Sequence, residues 1–167
     1  MTPLLRLLAA VKRLHEAEPA LHGVGPWPDD LNAQQIAPVP CPAAQSLAER
    51  ELPGNGATEP VIAALRAAAA DLEWRRTYTE EEVGAHFLNT YGYVELFGPK
   101  GHFHSEKLRG YIGFWGPGLT YDWHEHEAEE LYFTLSGRAA FGARKIPSAM
   151  VELGDTRYHS SNQPHLM

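Results

Sequence analysis

Beyond residue 90 the chain alternates short apolar or aromatic runs with glycine-centred turns, and this punctuation limits the fold more than any other feature. The runs cover 91–97, 108–115, 120–126, 130–135, 139–143 and 149–153. Between them stand Gly98-Pro99-Lys100-Gly101, Gly116-Pro117-Gly118, Ser136-Gly137 and Gly154-Asp155. Each run is short for a helix and ample for a strand, so the spacing predicts a sandwich or barrel. Before residue 90 the period is helical. Leu4, Leu8 and Val11 share one face, widened by Leu7 and Leu14. Residues 23–42 carry five prolines and read as an irregular connection. A short helix is expected over 43–51, then a turn at Pro53-Gly54-Asn55-Gly56. Thr58 is the expected N-cap of a helix reaching about residue 74, with Val61, Leu65, Ala68 and Leu72 inward. Thr79 and Glu82 form a capping-box pattern for one more short helix with Val83 and Phe87 inside. The expectation is a mainly β protein, with a helical region over 1–90 packed on a barrel over 91–167.

Composition narrows the function classes. A net charge of −7 disfavours an electrostatic grip on nucleic acid or anionic lipid. One cysteine, Cys41, makes no internal disulfide. The leucine-rich N-terminus is interrupted by Arg6, Lys12 and Arg13, which is not the unbroken apolar stretch of a secretory peptide. No apolar run reaches membrane-spanning length. These readings point to a cytoplasmic location and no membrane partner.

Nine histidines is a high count for 167 residues. His124 and His126 lie two apart, so on a strand both imidazoles face one side. Glu130 adds a carboxylate if the chain turns over 127–129, and Tyr132 shares the face of Glu130. Glu129 is the rival carboxylate, but it lies on the opposite face. His165, beyond the Gly154 turn, offers a third imidazole. Such a set suits one divalent transition metal: Fe, Mn, Co, Ni or Zn. Tyr121 has the wrong parity for a straight strand and reaches the site only if the chain bends or bulges. The second pair, His102 and His104, has no following carboxylate at matching distance and reads as a surface strand, a turn or a pocket rim. His159 reads equally as a neighbour of the ligands or a plain strand histidine.

Gly118, His124, His126, Glu130 and Gly137 match the first cupin signature at all five fixed positions, and Gly154 with His165 matches part of the second. Ser160 and Asn162 stand where that second signature has proline and glycine. The chain therefore resembles the cupins, which implies a small jelly-roll β-barrel behind the helical region. Within them, the pattern Tyr121, His124, His126, Glu130, Tyr132, together with Ser161-Asn162-Gln163-Pro164-His165, resembles the cupin-type dimethylsulfoniopropionate (DMSP) lyases. That resemblance implies a small carboxylate substrate cleaved to dimethyl sulfide and acrylate. Metal ligands would be His124, His126, Glu130 and His165. Tyr132 would be the base, with Tyr121 as the second choice. The chain stops two residues after His165, where a cupin normally continues, so either a C-terminal truncation, the first expectation, or a barrel that closes differently is expected. The N-terminal helices are expected to pack on the barrel or to build a homodimer contact. The alternatives on residues alone are an iron dioxygenase, an isomerase, or a cupin that binds a ligand without catalysis.

Overall fold

The computed structural model describes residues 1–167. Helix α1 (Pro3–Ala17) starts where the Thr2 hydroxyl accepts the Leu5 N–H and Pro3 needs no amide partner. Its buried stripe, Leu7, Ala10 and Leu14, packs on α3 (Glu59–Ala68), which buries Val61, Ile62, Leu65 and Ala68. Strand β1 (Asn32–Ala33) and helix α2 (Pro42–Glu49) lie between them in sequence. Helix α4 (Glu80–Thr90) runs directly into strand β2 (Tyr91–Phe97).

Local chemistry departs from expectation at both ends of α3 and inside α4. Thr58 is already helical. Asn55 caps instead, its Oδ1 accepting the N–H groups of Ala57 and Thr58 at 2.9 and 3.0 Å. Helix α3 stops at Ala68 rather than near residue 74, followed by a 3-10 turn over Ala69–Asp71. Beyond it Glu73 and Arg75 bridge to Val39 and Tyr93, so backbone pairing with the sheet replaces helical pairing. In α4 the Glu82 carboxylate accepts the Thr79 N–H at 2.8 Å as the sequence predicts. The helix kinks at Gly84 (φ 79°), leaving Phe87 and Leu88 buried and Val83 only half-buried.

The strands fall into three sheets. The first has the order β1-β3-β2-β4, with β3 (Phe103–His104) and β4 (Gly110–Trp115). Strands β2 and β4 are antiparallel from Tyr91↔Trp115 to Phe97↔Gly110, where a Cβ on Gly110 would run into the Phe97 ring. The second pairs β5 (Glu130–Phe133) with β8 (Thr156–His159). The third has the order β7-β6-β9, with β6 (Arg138–Ala143), β7 (Ile146–Glu152) and β9 (His165–Leu166). The result is a sheet-rich architecture of three sheets behind N-terminal helices. The expected strand over 120–126 does not form. Asp122 instead bonds locally, its carboxylate accepting the Trp123 N–H at 2.7 Å, and only His124 keeps a bridge. No helix is long and apolar enough to cross a membrane.

Candidate active site

Two backbone clasps assemble the site. Tyr121 and Met167 exchange N–H···O bonds of 2.6 and 3.0 Å, and His124 and His165 exchange two of 3.0 Å. These bring the rings of His124 and His165 to 4.1 Å. Asn162, held at φ 55°, donates its N–H to the His126 carbonyl at 2.8 Å and ties the 160–163 turn to the third histidine.

Each of the three rings is oriented by the same device. Nδ1 lies 2.7 Å from the Asp122 carbonyl in His124, 2.9 Å from that of Ala128 in His126, and 2.8 Å from that of Gln163 in His165. A carbonyl only accepts, so Nδ1 carries the proton and Nε2 presents its lone pair. The three rings each offer a ligand atom within 4.8 Å of the others. Burial holds the pKa of His124 down, and so does the positive charge that His165 or His126 would carry; both favour the neutral, ligating form.

Glu130 closes the group. Its Oε1 is 3.0 Å from His126 Nε2 and its Oε2 is 3.5 Å from His165 Nε2. Yet His126 Nε2, His165 Nε2 and Glu130 Oε2 are all buried without a hydrogen-bond partner. Converging lone pairs that do not bond to one another fit a shared cation, and imidazole with carboxylate fits a first-row divalent metal. The rival Glu129 is exposed and lies against Tyr158 on the outer side.

Tyrosines line the approach. Tyr121 packs on the His124 ring at 4.2 Å, which the missing strand makes feasible despite its parity. Its hydroxyl accepts a 3.0 Å bond from Tyr78. Tyr78, Phe87, Tyr91, Trp115 and Tyr121 form one aromatic cluster, with ring centroids 5.0 to 6.4 Å apart. Tyr132, on β5 two residues from Glu130, packs on Phe141 at 5.1 Å and meets His159 edge-on at 5.9 Å. Burial pushes the Tyr132 phenol well above its ordinary range, and the Glu130 carboxylate adds to this. Burial and the bond from Tyr78 do the same to Tyr121. Tyr91 is pushed up to about 12, chiefly by burial.

Sequence reasoning missed Tyr78, which lies in an unpatterned stretch between α3 and α4, and read Tyr91 only as a strand residue. His159 is fully buried and stacks on His165 at 4.1 Å, 17° from parallel. Burial lowers its pKa to about 4. The second pair lies away from the donor set. His102 is buried, not on the surface, and its Nε2 accepts the Glu73 N–H at 3.1 Å. His104 contacts the Pro99 carbonyl and Glu106.

The model of the dimethylsulfoniopropionate lyase family matches residues 26–167. This chain belongs to the DMSP lyase family. It is 38% identical over 163 residues to the dimethylsulfoniopropionate lyase DddQ of Ruegeria pomeroyi, covering 95% of this chain and 79% of that protein. A putative dimethylsulfoniopropionate lyase, DddL of Cereibacter sphaeroides, is 31% identical over 73% of this chain and 47% of its own length. Among solved structures, a chain from the crystal structures of the DMSP lyases RdDddP and RnDddQII superposes with TM-score 0.96 at 45% identity, covering 99% of this chain and 85% of that one. The crystal structure of DddQ from Ruegeria pomeroyi DSS-3 gives 0.92 at 35% identity, covering 98% and 83%.

Proposed function

We propose that this DMSP lyase family member is a carbon–sulfur lyase that splits DMSP into dimethyl sulfide and acrylate by base-initiated β-elimination, with His124, His126, Glu130 and His165 holding one divalent transition metal. The observation that carries this is the arrangement of three histidines, each fixed through Nδ1, with Glu130 among them and Tyr132 and Tyr121 beside them. A divalent ion held there supplies positive charge that favours the Tyr132 phenolate and offsets negative charge developing next to the substrate carboxylate.

Tyr132 takes the α-proton. The C–H pair becomes the Cα=Cβ bond, the Cβ–S bond breaks, and its electron pair leaves on neutral dimethyl sulfide. Tyr121 is the second residue in reach, and its bond from Tyr78 holds it in place against His124. The aromatic cluster offers ring faces to the sulfonium, which they attract as they do any cation. Burial pushes the pKa of Tyr91 up to about 12, so its face meets the sulfonium as a neutral ring. The balance closes without an oxidant.

The test is anaerobic incubation of metal-loaded protein with DMSP, reading headspace dimethyl sulfide and acrylate. Equal yields of both without oxygen are expected. A requirement for oxygen would point to a dioxygenase instead, and ligand binding with no product to a non-catalytic cupin.

A further inference from the structure

Arg157 lies on β8 two residues before His159, and residues two apart on a strand share a face. Cross-strand partners share it too. Arg157 is opposite Tyr132, and His159 is opposite Glu130. Arg157 therefore stands on the face that carries the proposed base and the histidine–carboxylate donors.

Its chemistry is incomplete there. Arg157 Nε and Nη2 are both buried and neither has a hydrogen-bond partner. Arg157 takes part in none of the chain's ion pairs. The two ring nitrogens of its neighbour His159 are likewise buried and unpartnered, and the Arg157 charge helps keep that ring neutral. The contrast within the molecule is Arg75, a part-buried guanidinium with a structural role. It is held by Glu73 and Glu95, each at 2.5 Å. A guanidinium is always charged, and leaving its donors buried and unmet is costly. Nε–H and Nη2–H form one edge of the guanidinium, two parallel donors spaced to meet the two oxygens of a carboxylate.

We propose that Arg157 is a substrate-binding residue whose Nε–Nη2 edge receives the carboxylate of the substrate. This rests on the lyase reading for its substrate but not for its chemistry. Two ring contacts flank the donor set: Tyr121 meets the His124 ring at a tilt, and His159 stacks on His165. The aromatic cluster lies on the Tyr121 side and Arg157 on the His159 side. A zwitterion with a carboxylate at one end and a sulfonium at the other matches a cation on one side and aromatic faces on the other. Arg157 would thus select substrates that carry the carboxylate and place the α-carbon relative to Tyr132.

The test compares metal-loaded wild type with Arg157→Met and Arg157→Lys. KM for DMSP should rise about 10- to 100-fold in Arg157→Met, the range for losing hydrogen bonds to a charged group. The fall in kcat should be smaller, and metal content should hold. Its melting temperature should match or exceed wild type, because two buried donors without partners are removed. Arg157→Lys keeps the charge without the fork, so its KM should lie between, and it carries the comparison should the methionine variant not fold. Propionate, a carboxylate that cannot eliminate, should raise the melting temperature of wild type and not of Arg157→Met. KM within about twofold of wild type in both variants would overturn the assignment, taking about twofold as the scatter of such comparisons. So would equal propionate protection, or a lower melting temperature with unchanged KM. If wild type releases no dimethyl sulfide, the lyase reading fails while the propionate comparison still decides whether Arg157 binds a carboxylate.

Discussion

Residues up to Phe114 supply all 17 members of the main apolar core, whereas the chain after it adds only Phe133 and Leu135 to its fringe. Unmet polar groups divide the other way. Among buried side-chain atoms without a hydrogen-bond partner, only one belongs to the first stretch, Arg66 Nε. The others belong to Trp115, His126, Glu130, Arg157, His159 and His165. In the first stretch the polar groups that are buried find partners inside the chain: Ser105 with Asp30, His102 with the Glu73 amide, Glu95 with Arg75. The lesson is a division of labour. The helices and the β2–β4 sheet carry the apolar core, and the chain beyond them carries most of the buried side-chain polar atoms that find no partner within the chain.

Substitutions on the two sides should therefore fail differently. The largest effect is expected from His126→Ala, which removes one of the three converging imidazoles. Metal analysis of the purified variant should show most of the ion lost, with a drop of more than about 100-fold in activity, beyond the 10- to 100-fold typical of residues that only support a ligand. Full metal content in both His126→Ala and Glu130→Ala would dissolve the proposed donor set.

Next comes Tyr132→Phe, which keeps the ring on Phe141 and removes only the ionisable oxygen. Activity should fall by about 10² to 10⁴, the usual range for a general base, with metal retained. Near-normal turnover would remove Tyr132 as the base and turn attention to Tyr121.

How far the sequence foretold this division depends on which pattern each half obeys. In the first half, burial follows periodicity, so Leu7, Leu14, Val61, Leu65 and Phe87 were readable as inward positions. In the second half, the pattern is inverted. Strand β8 reads Thr156-Arg157-Tyr158-His159, with polar residues facing in and Tyr158 44% exposed outside. An apolar-inward rule does not see such a strand. The convergence of His124, His126, Glu130 and His165 was legible from spacing, although 120–126 is not the straight strand used to argue it. The proximity of Tyr121 to His124 was not legible, because it depends on the clasp with Met167. The roles of Asn55 over Thr58 and of Tyr78 in the aromatic cluster rest on turns and tertiary packing that carry no period.

On the structural side, Leu65→Ala should cost about 2 to 5 kcal/mol in stability, since the side chain is 4% exposed within the core. Denaturant unfolding would measure it, and the folded fraction should keep its metal. A large loss of metal from folded Leu65→Ala would blur the separation of the two regions. The smallest effect is expected from Asn55→Ala, which deletes the acceptor of the Ala57 and Thr58 amides. A loss of about 1 kcal/mol is typical for such a cap, and denaturant unfolding would measure it. An Asn55→Ala cost well below about 0.5 kcal/mol, the low end for such caps, would contradict the capping assignment.

The most direct test of the account is a metal titration of chelator-stripped protein, read as dimethyl sulfide released from DMSP. Activity should appear with added divalent ion, rise in proportion to metal bound, level off near one ion per chain, and be absent in His126→Ala. Equal release by the stripped protein, or none from folded, fully loaded protein, would contradict it.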